Sequence, residues 1–164
     1  MNHSQLAAIE AITPEFLPRV LALNTAHATE LSLLDAAGLS ALVDEAFLAL
    51  RIGDVEAFLI AFDQHAAYES PNFNWFRERY PRFVYVDRIA VAASARGRGH
   101  ARRLYEHLFD RARDRGHDVV TCEVNAEPPN PASDAFYAAL GFEPVGEAAI
   151  HGGAKSVRYF ERQL

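Results

Sequence analysis

Apolar residues recur along this chain with two different periods, and these periods predict strands alternating with helices. The run over 83–91 is rich in β-branched and aromatic residues, which is typical of a strand. The segment after it predicts a helix, because its apolar residues recur three or four positions apart. Those residues are Ala101, Leu104, Tyr105, Leu108, Phe109 and Ala112. Alternation of this kind indicates helices packed on a central sheet.

The same reasoning predicts elements along the rest of the chain. Strands are expected over 6–12, 47–52, 55–62, 119–124, 145–151 and 156–162, and helices over 13–31, 36–46 and 130–141. Gly53-Asp54 and Gly152-Gly153 each lie between two predicted strands, which indicates a hairpin turn at both positions. The aromatic segment over 70–81 is bracketed by prolines and is assigned to neither class. We therefore expect one α/β domain over residues 1–164.

Composition narrows the class of protein. A chain of 164 residues, half of them hydrophobic, is long enough to bury a core. The formal net charge of −6 argues against a nucleic-acid partner. The sequence over 1–10 has no signal-peptide pattern and no stretch is apolar enough for a bilayer, so we expect a cytoplasmic protein without membrane association. The histidines lack paired ligand spacing, which predicts no metal site, and the lone Cys122 is expected to be a buried structural thiol.

A glycine-rich turn joins the strand over 83–91 to the following helix. Its sequence over 96–101 is Arg-Gly-Arg-Gly-His-Ala. A strand, a glycine turn and a helix N-terminus present unpaired backbone N–H groups and the positive end of the helix dipole. Arg96, Arg98 and Arg102 add positive charge there. The turn is therefore predicted to bind a phosphate or pyrophosphate.

Two common phosphate motifs do not fit this turn. A nucleoside-triphosphate loop needs a Lys after its second glycine, and the dinucleotide fingerprint needs a glycine where Arg102 stands. The pattern Arg-x-x-Gly-x-Ala, formed by Arg96, Gly99 and Ala101, resembles the acetyl-CoA pyrophosphate loop of the GNAT superfamily of N-acetyltransferases.

A second segment supports this resemblance. The sequence over 130–142 is similar to the Asn-x-x-Ala/Ser-x-x-Phe-Tyr-x-x-x-Gly-Phe motif of the same family. Its helix has its own signals, since Asn130 is a good N-cap, Pro131 suits the first turn and Gly141 can end the helix. The resemblance covers residues 83–142 closely and extends more loosely to 164. It implies a GNAT-like mixed, mostly antiparallel central sheet flanked by helices.

The resemblance also implies acetyl-CoA (coenzyme A) as the cofactor and indicates where it binds. Its pantetheine arm is expected along the end of the strand and its pyrophosphate over the glycine-rich loop. The residues expected to contact the cofactor are Ile89, Ala90, Val91, Arg96, Gly97, Arg98, Gly99, His100, Ala101, Arg102, Asn130, Ser133 and Tyr137.

Tyr137 is the expected general acid, because it occupies the tyrosine position of the family motif. A phenol keeps its proton at neutral pH and can give it to a departing thiolate. Glu123 is the expected general base, being similar to the strand glutamate of acetyltransferases that act on protein N-termini. Asp87 is the alternative, on a strand face predicted to include Tyr85 and Ile89. A water molecule, or no dedicated base, remains a third option.

The acceptor site is less well defined by the sequence. Asn72, Trp75 and Tyr85 are candidates for substrate binding. The alternative is that the aromatic residues of 70–81 close the core at the sheet edge. We expect an acetyl-CoA-dependent N-acetyltransferase that acts directly on a primary amine of a small molecule or peptide. The alternative is a non-catalytic acyl-CoA-binding or sensing module. The identity of the amine, the acyl-chain preference and the oligomeric state, including a homodimer, are left open.

Overall fold

A computed structural model describes residues 6–28 and 31–164 of the chain. These residues form one seven-stranded sheet in the order β1-β2-β3-β4-β5-β7-β6. The strands are β1 (Ile9–Ala11), β2 (Leu48–Ile52), β3 (Ala57–Asp63), β4 (Val84–Val91), β5 (Val119–Asn125), β6 (Glu143–Ile150) and β7 (Lys155–Gln163). The helices are α1 (Leu17–Ala26), α2 (Ala36–Glu45), α3 (Pro71–Arg77), α4 (His100–Asp114) and α5 (Pro131–Ala139), with short 3-10 turns at Pro14–Phe16 and Ala93–Ala95.

Neighbouring strands are antiparallel except for β4 and β5, which are parallel. These two strands pair only at their beginnings, where Val84 lies opposite Val120 and Tyr85 opposite Thr121. Beyond that point they separate, and β5 continues as the partner of β7. The prediction of a mixed, mostly antiparallel sheet flanked by helices is confirmed, and the separation of β4 from β5 opens a gap in its middle.

The sheet has a hydrophobic core on each face. One core packs α4 and α5 on the sheet, with Leu104, Leu108 and Phe142 among its members. The other packs α1, α2 and α3, with Val20 and Phe73 among its members. The two cores explain why β3 is apolar along nearly its whole length, since it is covered on both faces.

Capping residues fix the helices that flank the gap. The Asn130 side chain accepts a hydrogen bond from the Ser133 amide at 3.1 Å and begins α5 as predicted. Ser70 does the same for α3, accepting from the Phe73 amide at 3.0 Å. The unassigned segment over 70–81 therefore contains a short helix, with Pro71 in its first turn.

Several predicted boundaries differ from the structure. The strands expected over 55–62, 145–151 and 156–162 are Ala57–Asp63, Glu143–Ile150 and Lys155–Gln163. The strand expected over 6–12 is limited to β1, which pairs with β2 only at Ile9–Ala11. The helix expected from Thr13 begins as a 3-10 turn without a capping bond from the Thr13 side chain. α1 ends at Ala26, and residues 29–30 of the longer predicted helix lie outside the described part of the chain. Within 6–28 and 31–164, no helix combines the length and apolar character needed to cross a bilayer.

A β-bulge at Asp87 changes which side chains share a face of β4. Val86 lies opposite Ala61 and Arg88 opposite Ile60, so Asp87 is an extra residue with no counterpart on β3. Tyr85 packs in the core under α3, whereas Ile89 packs against the core under α4. The expectation that Asp87, Tyr85 and Ile89 share one face is therefore wrong for Ile89.

Candidate active site

The gap between β4 and β5 is a cleft of about 1020 Å³. It reaches both faces of the sheet. On the face of α4 and α5 its wall includes Ala101, Tyr105, Ser133, Phe136 and Tyr137. On the opposite face its wall includes His27, Ser32, Asn72, Tyr85 and Asp87. A molecule bound in the cleft can therefore contact residues from both cores.

A second, smaller cavity of about 330 Å³ lies at the start of α4 and shares Val91, Arg96, Ala101 and Phe136 with the cleft. Its wall also includes Gly97, Gly99, His100 and Arg102. Gly97 and Gly99 have φ angles of 79° and 75°, in the left-handed region that favours glycine. A Cβ placed on either one meets no heavy atom of the described residues within 4 Å, so the loop surface is open.

The backbone of this loop suits an anion. Gly99 precedes α4 and has no side chain to cap it, so the first-turn amides are left without a side-chain acceptor. Together with the helix dipole and the guanidinium groups of Arg96 and Arg102, these amides form a site that fits the pyrophosphate of coenzyme A.

Two loop residues have partners that the sequence did not indicate. Arg98 Nη1 donates a hydrogen bond to Oε1 of Glu56 at 3.0 Å. Nε2 of the buried His100 ring lies 3.3 Å from Oε2 of the same carboxylate without making a hydrogen bond. Glu56 lies in the turn between β2 and β3, 42 positions before Arg98. Arg98 therefore connects the loop to the β2–β3 turn through Glu56, and the His100 ring packs beside the same carboxylate, an arrangement that no local motif could have revealed.

The end of β4 has an edge available for a bound chain. Ile89, Ala90 and Val91 pair with β3 on one side and line the cleft on the other. Since β5 has separated from β4 here, the backbone groups on the cleft side are not used by the β4–β5 ladder. This arrangement fits the predicted contact with an amide-containing arm such as pantetheine.

Tyr137 of α5 lies in the cleft wall with its hydroxyl 2.8 Å from that of Tyr105. Tyr105 is fully buried in the core under α4. Burial, reinforced by the nearby Cys122 thiol, raises the pKa of Tyr137 above its ordinary value. The phenol is therefore protonated at neutral pH. Burial also raises the pKa of Cys122 well above its ordinary value, so its thiol stays neutral.

Glu123 of β5 also lies in the cleft wall, with Tyr85 Oη donating to its Oε2 at 2.7 Å. Burial raises the pKa of Glu123 to about 7, against the opposing effect of the Tyr85 hydrogen bond. The charge of Asp87 adds to the increase. Glu123 is thus a carboxyl group that gains and loses its proton near neutral pH.

Asp87, the alternative base, has both oxygens engaged. Tyr68 donates to Oδ1 at 2.6 Å and Arg88 donates to Oδ2 at 2.8 Å. Arg88 is itself buried, and it binds Asn24 at 2.9 Å and the Ser32 backbone at 3.2 Å. This network connects α1 and Ser32 to the bulge of β4, so the Asp87 carboxylate contributes to the packing of the fold.

The structure brings two of the three candidate acceptor residues to the cleft. Asn72 and Tyr85 line it, and Asn72 accepts a hydrogen bond from Tyr159 at 2.9 Å. The Trp75 ring instead stacks on Tyr159 with centroids 4.2 Å apart, and the Arg79 guanidinium covers it at 3.9 Å. Trp75 therefore packs between α3 and β7, in agreement with the alternative that these aromatic residues close the core.

Several cleft residues were missed by sequence reasoning. They are His27, Leu31, Ser32, Ser70, Pro71, Ile150, His151 and Lys155. They come from the ends of α1 and β6 and the starts of α3 and β7, and no spacing pattern connects them. In the described ranges, no group of three or more His, Cys, Asp or Glu residues could hold a metal ion.

Comparison with known proteins agrees with this geometry. Residues 36–142 match the model of the acetyltransferase (GNAT) family. The match covers more than half of the chain, and the protein belongs to this family. Membership was predicted from the motifs at 96–101 and 130–142, and it is confirmed.

Among curated proteins, the chain is 30% identical over 84 residues to the L-2,4-diaminobutyric acid acetyltransferase of Wolinella succinogenes, covering 51% of this chain and 49% of that protein. The chain thus aligns with about half the length of this relative. Among solved structures, the ribosomal-protein-alanine N-acetyltransferase of Brucella melitensis is 25% identical with a TM-score of 0.71, covering 96% of this chain and 99% of that one. Arabidopsis thaliana NAA60 in complex with acetyl-CoA is 16% identical with a TM-score of 0.74, over 96% of this chain and 98% of that one, and shares the fold.

Proposed function

We propose that this protein transfers an acetyl group from acetyl-CoA directly to a primary amine of a small molecule or peptide. One observation carries the proposal. A cleft through the sheet joins an anion-binding loop at α4 to Glu123, whose pKa lies near neutrality, and to Tyr137, which holds its proton. Both the family and the relatives named above are acetyltransferases.

The loop and the strand edge would hold the donor. First-turn amides of α4, with Arg96 and Arg102, bind the pyrophosphate, and the open edge of β4 binds the arm. Asn130 and Ser133 line the cleft at the start of α5 and would contact the arm, although the Asn130 side chain is engaged in the helix cap. When bound, acetyl-CoA supplies an acetyl group activated as a thioester.

Glu123 is the proposed general base. An acceptor amine is mostly protonated at neutral pH and must lose a proton before it can attack a carbonyl carbon. With a pKa of about 7, Glu123 is ionised in a large fraction of molecules at neutral pH and accepts that proton. We prefer it to Asp87, because both Asp87 oxygens already accept hydrogen bonds.

Tyr137 is the proposed general acid. Tyr137 lines the cleft and holds a proton that a leaving thiolate can take, and the Tyr105 hydroxyl lies 2.8 Å from that of Tyr137 to position it. Direct transfer is favoured over an acyl-enzyme because Cys122, the single cysteine, is buried and its raised pKa keeps it a neutral thiol.

Release of the coenzyme A thiol during incubation with acetyl-CoA and a panel of primary amines tests this proposal. We expect amine-dependent release by the wild type, and in Tyr137→Phe a fall in kcat of about 100-fold or more with the acetyl-CoA Kd nearly unchanged. The control is Tyr80→Phe. It also removes a tyrosine hydroxyl that donates to a carboxylate, in this case to Glu161 of β7 at 2.5 Å. Binding of acetyl-CoA without release for any amine would instead favour a sensing module.

A further inference from the structure

The chain contains a single lysine, Lys155, and all its other strongly basic side chains are arginines. The structure places this lysine in the wall of the cleft, at the start of β7. An ammonium group is a compact charge on a flexible stem, whereas a guanidinium is a planar fork. Lys155 therefore carries the single ammonium side chain among the Lys and Arg residues of the protein, and it lies in the cleft that we propose as the reaction site.

Strand geometry puts Lys155 on the same face as Glu123. Lys155, Val157 and Tyr159 alternate along β7, so they share a face. Tyr159 lies directly opposite Glu123 in the β5–β7 register. The charge of Lys155 also reaches that carboxyl group, since it lowers the pKa of Glu123 against the effect of burial. The two side chains are thus opposite charges on one wall.

The charges in this part of the cleft are unequally compensated. Asp87 and Arg88 neutralise each other at 2.8 Å. Within the part of the chain that the structure describes, Lys155 has no carboxylate within 4 Å and makes no side-chain hydrogen bond. Glu123 has the Tyr85 hydroxyl as its side-chain partner. Among the described residues in this part of the cleft, Lys155 is therefore a cation without a carboxylate partner, and Glu123 is a carboxyl group whose charge no cation neutralises at contact distance.

We propose that the acceptor is a small amino acid, with its reacting amine at Glu123 and its free carboxylate at Lys155. This inference rests on the proposed function and specifies its substrate class. A dipolar acceptor satisfies both charges at once, which a simple alkylamine does not. A peptide amine also differs, because its neighbouring carbonyl is a neutral amide. The name of the Wolinella succinogenes relative makes 2,4-diaminobutyrate the natural probe.

Calorimetric titration of the coenzyme A-bound protein with 2,4-diaminobutyrate and with its carboxamide tests the inference without requiring turnover. The carboxamide has the same shape and no negative charge. We expect the wild type to bind the acid about 10- to 100-fold more tightly, the range of one charge-assisted hydrogen bond. Lys155→Met should reduce this preference to about twofold or less, and Lys155→Arg should restore most of it. Arg115→Met removes a charge at the far end of α4 and should behave as the wild type.

Any of the following results would overturn the inference: equal binding of the acid and the carboxamide by the wild type, equal weakening of both in Lys155→Met, or tighter binding of a C-terminally amidated alanyl peptide than of the acid. Failure of both small ligands to bind would overturn it as well. Equal weakening is the result expected if Lys155 only adjusts the charge of Glu123.

Thiol release measured with the same ligands separates this inference from the proposed function. A Lys155-dependent preference for the acid over the carboxamide, without release of the coenzyme A thiol, would support the inference and contradict the proposed acetyltransferase activity. Release from many amines without such a preference would reject the inference alone.

Discussion

Tyr85 and Glu123 are joined across the point where β4 and β5 separate, with the Tyr85 hydroxyl donating to the carboxylate at 2.7 Å. Tyr85 is the last residue of β4 that pairs with β5, and its ring is fully buried. The tyrosine therefore holds the carboxyl group at the mouth of the gap. It also stabilises the ionised form in a place where burial opposes ionisation.

Replacing Tyr85 with Phe should move the acid limb of the pH profile to higher pH. The hydrogen bond that lowers the pKa of Glu123 is lost while burial remains, so the carboxyl group holds its proton more tightly. Activity at pH 7 should fall about three- to tenfold and recover in part at pH 8.5. The measurement is kcat/KM for the amine against pH, with Tyr80→Phe as the control. An acid limb that stays in place or moves to lower pH would contradict the role of this bond.

Glu123→Gln should make the folded protein more stable at alkaline pH. The pKa of Glu123 is raised from 4.5 to about 7, so the folded state binds this proton more tightly than the unfolded chain. The free energy of unfolding therefore falls as pH rises from 4.5 through 7, and above that the whole penalty is present. Glutamine carries no charge at any pH, so we expect a gain of about 1–3 kcal/mol at pH 8 and little change at pH 4.5.

Urea denaturation of wild type and variant at the two pH values measures this difference. A variant with the same loss of unfolding free energy at both pH values would show that the charge of Glu123 does not destabilise the folded protein. The same variant should lose most of its activity, because its side chain no longer accepts a proton.

Tyr105→Phe should lower kcat about three- to tenfold through the orientation of Tyr137. Tyr105 is buried and its hydroxyl bonds that of Tyr137 at 2.8 Å. Loss of one neutral hydrogen bond accounts for an effect of this size. The KM for acetyl-CoA should stay within about twofold of the wild type.

A double-mutant cycle distinguishes positioning from a general loss of packing. In a Tyr137→Phe background, Tyr105→Phe should add almost nothing to the loss of kcat. Independent, multiplying effects of the two substitutions would contradict the positioning role.

Glu56→Gln should weaken acetyl-CoA binding by loosening the glycine-rich loop. The carboxylate accepts a hydrogen bond from Arg98 at 3.0 Å and lies 3.3 Å from the His100 ring, and both residues belong to the loop. We expect the Kd for acetyl-CoA to rise about two- to fivefold, the range for a partly exposed ion pair, with kcat/KM for S-acetylpantetheine unchanged, since that donor lacks the pyrophosphate. Asp110→Asn breaks the pair with Arg113 farther along α4 and is the control. Equal losses with both donors would show that Glu56 acts on the whole fold.

Local signals in the sequence were sufficient for the architecture and for the loop and helix start that line the cleft. The cap at Asn130, the glycines at 97 and 99 and the apolar spacing of α4 are features of neighbouring residues, and each is present as predicted. These signals act over one turn of helix or one loop, so a single sequence displays them.

The rest depends on contacts between distant segments. The bulge at Asp87 adds one residue without any change of composition, and it reverses the side of every later residue of β4. Glu56 reaches the loop only because β2 and β3 turn beside it. The pairing of β5 with β7 places Lys155 on the same face of the sheet as Glu123. No periodicity or motif predicts such pairings, because they are decided by the sheet order.

The melting temperature of the protein with acetyl-CoA, compared with ADP, tests most directly whether this cleft holds the proposed donor. A ligand at about 100 times its Kd adds roughly 2.7 kcal/mol of stability, which for a domain of this size is a rise of about 5–10 °C. We expect such a rise with acetyl-CoA and a smaller one with ADP, which has the pyrophosphate but not the arm. No shift with millimolar acetyl-CoA would contradict the account and leave a GNAT fold whose loop does not bind the donor.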